Sequence, residues 1–92
     1  MTLAASSTLT GTNGSFTGGV NGAGFDLTLN FTGTTTISGA AFANINNLTS
    51  GNGGTMQLSG NITTTGTQTY NDVVTLIGAT TLTTTNSNVS FA

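Results

Sequence analysis

Phe25-Asp26-Leu27-Thr28-Leu29-Asn30-Phe31 is apolar at every second position. In an extended chain successive side chains point to opposite faces, so Phe25, Leu27, Leu29 and Phe31 share one face and Asp26, Thr28 and Asn30 the other. Shorter versions of this alternation occur at Met56-Gln57-Leu58, Val74-Thr75-Leu76, Thr81-Leu82-Thr83 and Asn88-Val89-Ser90-Phe91. The predicted core is therefore Phe25, Leu27, Leu29, Phe31, Leu58, Val74, Leu76, Leu82, Val89 and Phe91, with Phe16 alongside it. No segment has helical periodicity. Between the alternating stretches lie Gly18-Gly19-Val20-Asn21-Gly22, Ser50-Gly51-Asn52-Gly53-Gly54 and Asn71-Asp72, residue types that tolerate the backbone of tight turns. The fold class is all-β, with many short strands that each carry one apolar face. A sandwich, a small barrel and a solenoid all fit, and Asn13-Gly14, Asn21-Gly22 or Asn52-Gly53 would serve as hairpin turns.

Composition narrows the function. The chain has no Lys, Arg, His, Cys, Pro or Trp, and Asp26 and Asp72 are its only formal charges. The usual general base, the thiolate nucleophile and the amine for a Schiff base are all missing, so the expected class is not an enzyme and no cofactor is expected. Nucleic-acid binding and attraction to anionic membranes need cations that the chain lacks. No apolar run reaches the roughly 18 residues of a membrane span, so no membrane insertion is expected. Thr, Gly, Asn and Ser make up 56 of the 92 residues. With abundant β-branched residues and a net charge of −2, this composition points to ordered β structure rather than disorder.

A chain of this length makes one domain, residues 1–92. It also contains an internal similarity. Leu3 to Asn13 reads LAASSTLTGTN and Leu76 to Asn86 reads LIGATTLTTTN, identical at six of eleven positions. The chain ends much as it begins, which fits an array whose units bury their faces only against neighbours.

Residues 63–76, TTTGTQTYNDVVTL, followed by Ala79-Thr80-Thr81-Leu82-Thr83, resemble a repeat of very large bacterial surface proteins, the filamentous-haemagglutinin-like and autotransporter-type adhesins. Gly33-Thr34-Thr35-Thr36-Ile37-Ser38-Gly39 resembles another piece of the same repeat, and the likeness spans roughly residues 13–92. One departure is Ile77, which stands between Leu76 and Gly78 where the family pattern runs directly from Leu to Gly. The resemblance implies a right-handed parallel β-helix, an extracellular or bacterial cell-surface location, and a role in adhesion or surface fibres. It brings no catalytic residues.

Coils of roughly 20–30 residues would give about three to five turns with uncapped ends, because the chain has no Lys, Pro or helix to protect an open strand edge. The expected partner is another copy of the chain, joined head to tail into a filament; a host or neighbouring-cell surface is a second expected partner. The alternative function is a binding module, either ice-binding or carbohydrate-adhesive. Thr8-x-Thr10, Thr34-x-Thr36, Thr63-x-Thr65 and Thr81-x-Thr83 suggest a threonine ladder, but their starts are 26, 29 and 18 residues apart, too irregular for one plane. Asp26 and Asp72 are candidates for a carboxylate pair or, with Asn71, a cation site. The simpler expectation is one solvated strand residue and one turn residue. Tyr70 and Phe42 are candidate sugar-contacting aromatics; packing is the simpler reading, with the Tyr70 hydroxyl exposed at a corner. Five sequons, at Asn13, Asn30, Asn47, Asn61 and Asn88, are about what the composition gives by chance.

Overall fold

The computed structural model describes residues 2–51 and 53–91, with Gly39 and Ala40 described by their backbone alone. Ten strands follow one another: β1 (Ser7–Gly11), β2 (Gly14–Phe16), β3 (Val20–Asn21), β4 (Leu27–Phe31), β5 (Thr34–Ile45), β6 (Leu48–Ser50), β7 (Thr55–Thr64), β8 (Gln68–Tyr70), β9 (Val73–Thr83) and β10 (Val89–Phe91). They form two parallel sheets, ordered β1-β4-β6-β8-β10 and β2-β5-β7-β9, with β3 also paired to β5. The chain alternates between the sheets and climbs one strand per circuit. The fold is a β-solenoid of about four turns, neither a sandwich nor a barrel. Asn13-Gly14 and Asn21-Gly22 accordingly serve as corners between successive strands of the coil, not as hairpins. Asn52, of the third such pair, lies outside the described residues.

Register defines the coil. In the first sheet Ser7 pairs with Leu27, Leu27 with Leu48, Leu48 with Gln68 and Gln68 with Val89, a step of 20 or 21 residues each time. Side chains two apart share a face, so the interior is built from vertical columns. Leu9, Leu29, Ser50, Tyr70 and Phe91 make one. Phe16, Ile37, Leu58 and Leu76 make another, and Val20, Phe42, Ile62 and Leu82 a third. The long strands turn their own corners through register breaks. Asn44, at φ 57, lies where Phe42 to Ile45 takes one residue more than Ile62 to Thr64. Gly60, at φ 96, bends β7 where its neighbours also lose register. The extra residue Ile77 falls in the corresponding break of β9, between Leu76 and Thr80, and stays exposed.

Columns decide which residues are buried. Leu27, Leu29, Phe31 and Leu58 are in the core, and Val74, Leu82 and Val89 pack half-buried against it. Three expected core residues are not buried. Phe25 lies before β4 in the corner that follows Gly24, outside the alternating strand. Leu76 (62 % exposed) and Phe91 (56 % exposed) do occupy inward columns, above Leu58 and Tyr70, but no strand lies above them. Nine of the thirteen buried hydrophobic residues among those described lie outside the predicted core: Leu3, Val20, Ile37, Phe42, Ile45, Leu48, Met56, Ile62 and Tyr70.

The similar segments 3–13 and 76–86 are not equivalent turns of the coil. The first contains β1 of one sheet and the second lies mainly on β9 of the other. Leu9 stands in the column of Leu29, whereas Leu82 stands in that of Ile62. Their separation matches no whole number of 20- or 21-residue steps.

Candidate functional site

The polar side chains that drew attention in the sequence are mostly bonded to the coil. The Asp26 carboxylate lies in the corner before β4, not within a strand, and its Oδ1 accepts from Asn46 Nδ2 (2.9 Å) and the Asn47 backbone N–H (3.1 Å) of the next turn. Asn47 Oδ1 in turn accepts from the Thr67 N–H (2.8 Å) one turn further on, and Asn13 Oδ1 accepts from the Thr34 N–H (2.9 Å). Asp72 is buried between β8 and β9 and accepts from Ser50 Oγ at 3.3 Å. Both carboxylates therefore tie one turn to its neighbour. Among the described residues no three His, Cys, Asp or Glu side chains gather to hold a metal ion.

Tyr70 is fully buried, which corrects the expectation of an exposed hydroxyl. Its hydroxyl donates to Gln68 Oε1 (2.8 Å), and Gln68 Nε2 donates to the carbonyls of Ile62 (3.1 Å) and Thr83 (2.9 Å). A buried amide needs such partners, because an unmet donor costs about 1–3 kcal/mol. Burial pushes the Tyr70 phenol well above its ordinary range. Phe42 is also buried, in edge contact with Phe16 (5.6 Å between centroids). Neither aromatic is placed to meet a sugar.

An open groove of about 310 Å³ lies at the end nearer β1, lined by Thr2, Gly18, Gly19, Val20, Ala41 and Asn44 among others. None of these side chains titrates or acts as a nucleophile at neutral pH.

Two surfaces remain. One is a regular outer ladder on the first sheet: Thr8, Thr28, Thr49, Thr69 and Ser90 stand in register on successive strands, about 4.8 Å apart. Thr-x-Thr pairs do not reveal this ladder, because it uses one residue per turn at a step of 20 or 21 residues. The other surface is the end of the solenoid formed by β9 and β10. Val73, Leu76, Ile77 and Phe91, four of the five exposed large hydrophobic side chains among the described residues, are on these two strands. Each strand pairs on one side only, β9 with β7 and β10 with β8. No protein-family model, curated protein or solved structure matches the chain.

Proposed function

We propose that this chain is a non-catalytic structural unit of an extracellular bacterial fibre or adhesin, joined to further units through the open strand edges at its ends. The observation that carries the reading is the state of Leu76 and Phe91. They occupy columns whose inner members Leu58 and Tyr70 are fully buried, yet they are 62 % and 56 % exposed on strands with a free hydrogen-bonding edge. Covering them would bury apolar surface and satisfy backbone groups together. No lysine or proline blunts the edge, and almost no charge opposes the approach of a second copy. Light scattering and electron microscopy of the purified chain across a concentration series test the reading. Rods whose width matches the 24–27 Å extent of one unit are expected; a monomer that persists at high concentration would overturn it.

The threonine ladder favours a second reading, an ice-binding face. It offers one hydroxyl per turn at constant spacing, although the adjacent outer column already changes from Thr10 to Asn30 one turn on. Thermal hysteresis that disappears on Thr49→Tyr would support this reading; none in the wild-type chain would exclude it.

A further inference from the structure

The groove near β1 belongs to the flank of the coil. Thr2 bridges to Asn21 and Asn21 pairs with Ala43, so these three residues stand on successive levels, and all of them line the groove. A depression over the tip would not reach the third level. Residue size gives the groove its depth. Thr81, Asn61 and Ala41 form one outward column. Gly19 packs against Ala41 so closely that a Cβ there would lie 2.7 Å from the Ala41 carbonyl oxygen. The outward side chains thus shrink from threonine and asparagine to alanine and glycine, and Gly18, Gly19, Ala41 and Ala43 leave the space open.

Two amides are fixed beside this space. Asn21 Oδ1 accepts from the Ala23 N–H (3.0 Å) and from Asn44 Nδ2 (3.2 Å). A carbonyl oxygen has two lone pairs, so both are used and the Asn21 amide nitrogen remains as a donor. Asn44 keeps its Oδ1 as an acceptor and one N–H as a donor. Its exposed side chain projects from the left-handed position, at φ 57, in the stretch where β5 breaks step with β7. Such breaks re-aim a side chain out of the regular pleat.

The remaining chemistry of the groove narrows its ligand. Among the described residues that line it none carries a charge, so an ionic ligand meets no counter-charge. The largest apolar side chain there, Val20, is buried, so an apolar ligand meets no wall. The backbone is occupied between levels: the Gly22 N–H donates to the Ala43 carbonyl (2.8 Å) and the Leu3 N–H to the Asn21 carbonyl (2.9 Å). A peptide strand therefore meets no open edge here. Oriented amide donors and acceptors in a small uncharged hollow suit hydroxyl groups. A volume of about 310 Å³ is at the small end of the range for ligand sites, ~300–1,000 Å³.

We infer that this groove binds a neutral saccharide, with the Asn21 and Asn44 amides holding its hydroxyls. The site is on the flank, so a unit binds whether or not it is stacked, and the fibre reading is not required. The groove is open and makes few contacts, so a Kd of about 1 mM is expected.

Titration of the isotope-labelled full chain with lactose, cellobiose, maltose and N,N′-diacetylchitobiose, followed through backbone amide chemical shifts, tests the site. At least one saccharide is expected to shift the amides of Gly18, Gly19, Asn21, Ala43 and Asn44 and to saturate near ~1 mM. Asn44→Gly suits the left-handed backbone and removes both amide atoms, and should weaken binding about five- to tenfold while amide shifts elsewhere stay unchanged. Ala41→Leu, at an exposed position lining the groove, should fill it and abolish binding. Absence of these shifts with every saccharide, or wild-type binding by both variants, would overturn the site. Equal shifts of the same amides by N-acetyl-tetra-alanine amide would mark a peptide groove and overturn the saccharide assignment. Light scattering on the same samples separates the two readings: filaments without saccharide shifts overturn the groove alone, and saccharide shifts in a chain that stays monomeric at high concentration overturn the fibre alone.

Discussion

Leu58 and Leu76 stand in one column, one turn apart, and so do Tyr70 and Phe91. The lower member of each pair is fully buried and the upper is more than half exposed. Residue type does not separate them and neither does the direction in which they point. The presence of a turn above does. A solenoid buries a side chain between levels, so the same leucine is core in the middle of the stack and surface at its end. The end turn is also where the molecule offers something to a partner, and the middle turns are where it is held together.

This contrast is open to experiment, beginning with the column itself. Leu58→Ala should destabilise the chain by about 2–5 kcal/mol, as expected for a large-to-small change in a sealed core. Leu76→Ala should cost about a quarter of that or less in the isolated chain, because most of its surface is already wet. Thermal unfolding of the two variants side by side would show it, and equal losses would mean that the end turn is already covered.

Tyr70 and Phe91 give the next largest difference. Tyr70→Phe removes the hydroxyl that donates to Gln68 and should cost about 1–3 kcal/mol by denaturant titration. Phe91, which makes no such bond, should tolerate Phe91→Leu with a smaller loss. The same hydroxyl sets a pH dependence. Folding raises the Tyr70 pKa, so the folded chain holds its phenolic proton while the unfolded chain releases it near pH ~10. The contribution to stability is complete below that pH and declines as pH rises further. The decline should be absent in Tyr70→Phe, and an unchanged alkaline profile in that variant would place its origin elsewhere.

The smallest expected effect concerns a middle-turn residue that fits its place poorly. Thr35 is fully buried between Gly14 and Met56, and its Oγ1 has no hydrogen-bond partner among the described residues. Thr35→Val keeps the shape and removes the unmet hydroxyl, so a gain of up to about 1 kcal/mol is expected. Thr36→Val, on the outer face of the same strand, should leave the melting temperature nearly unchanged.

How much of this was legible depends on whether the signal was local. The alternation from Leu27 to Phe31 was, because burial on one face leaves a period of two. Ile37, Ile45 and Leu48 sit in threonine- and asparagine-rich surroundings where polar residues also point inward, as Ser50, Thr64 and Gln68 do, so no alternation marks them. The threonine ladder escaped for a related reason: its members are a whole turn apart, and their spacing is visible only when the turn length is known. Asp26 and Asp72 showed their charge but not their bonds, since each partner comes from a different turn.

The sequence by itself determined that this chain is all-β, that it lacks the side chains of most catalysis, and that nothing in its composition defends a strand edge. Those properties follow from residue type and from neighbours a few positions away. The tertiary structure alone decided the 20- to 21-residue step, the identity of the columns, the burial of Tyr70 and the exposure of Leu76 and Phe91. In a parallel coil every strand pairs with residues a full turn distant, so contacts are set by register, which depends on where each corner turns and where each long strand breaks step.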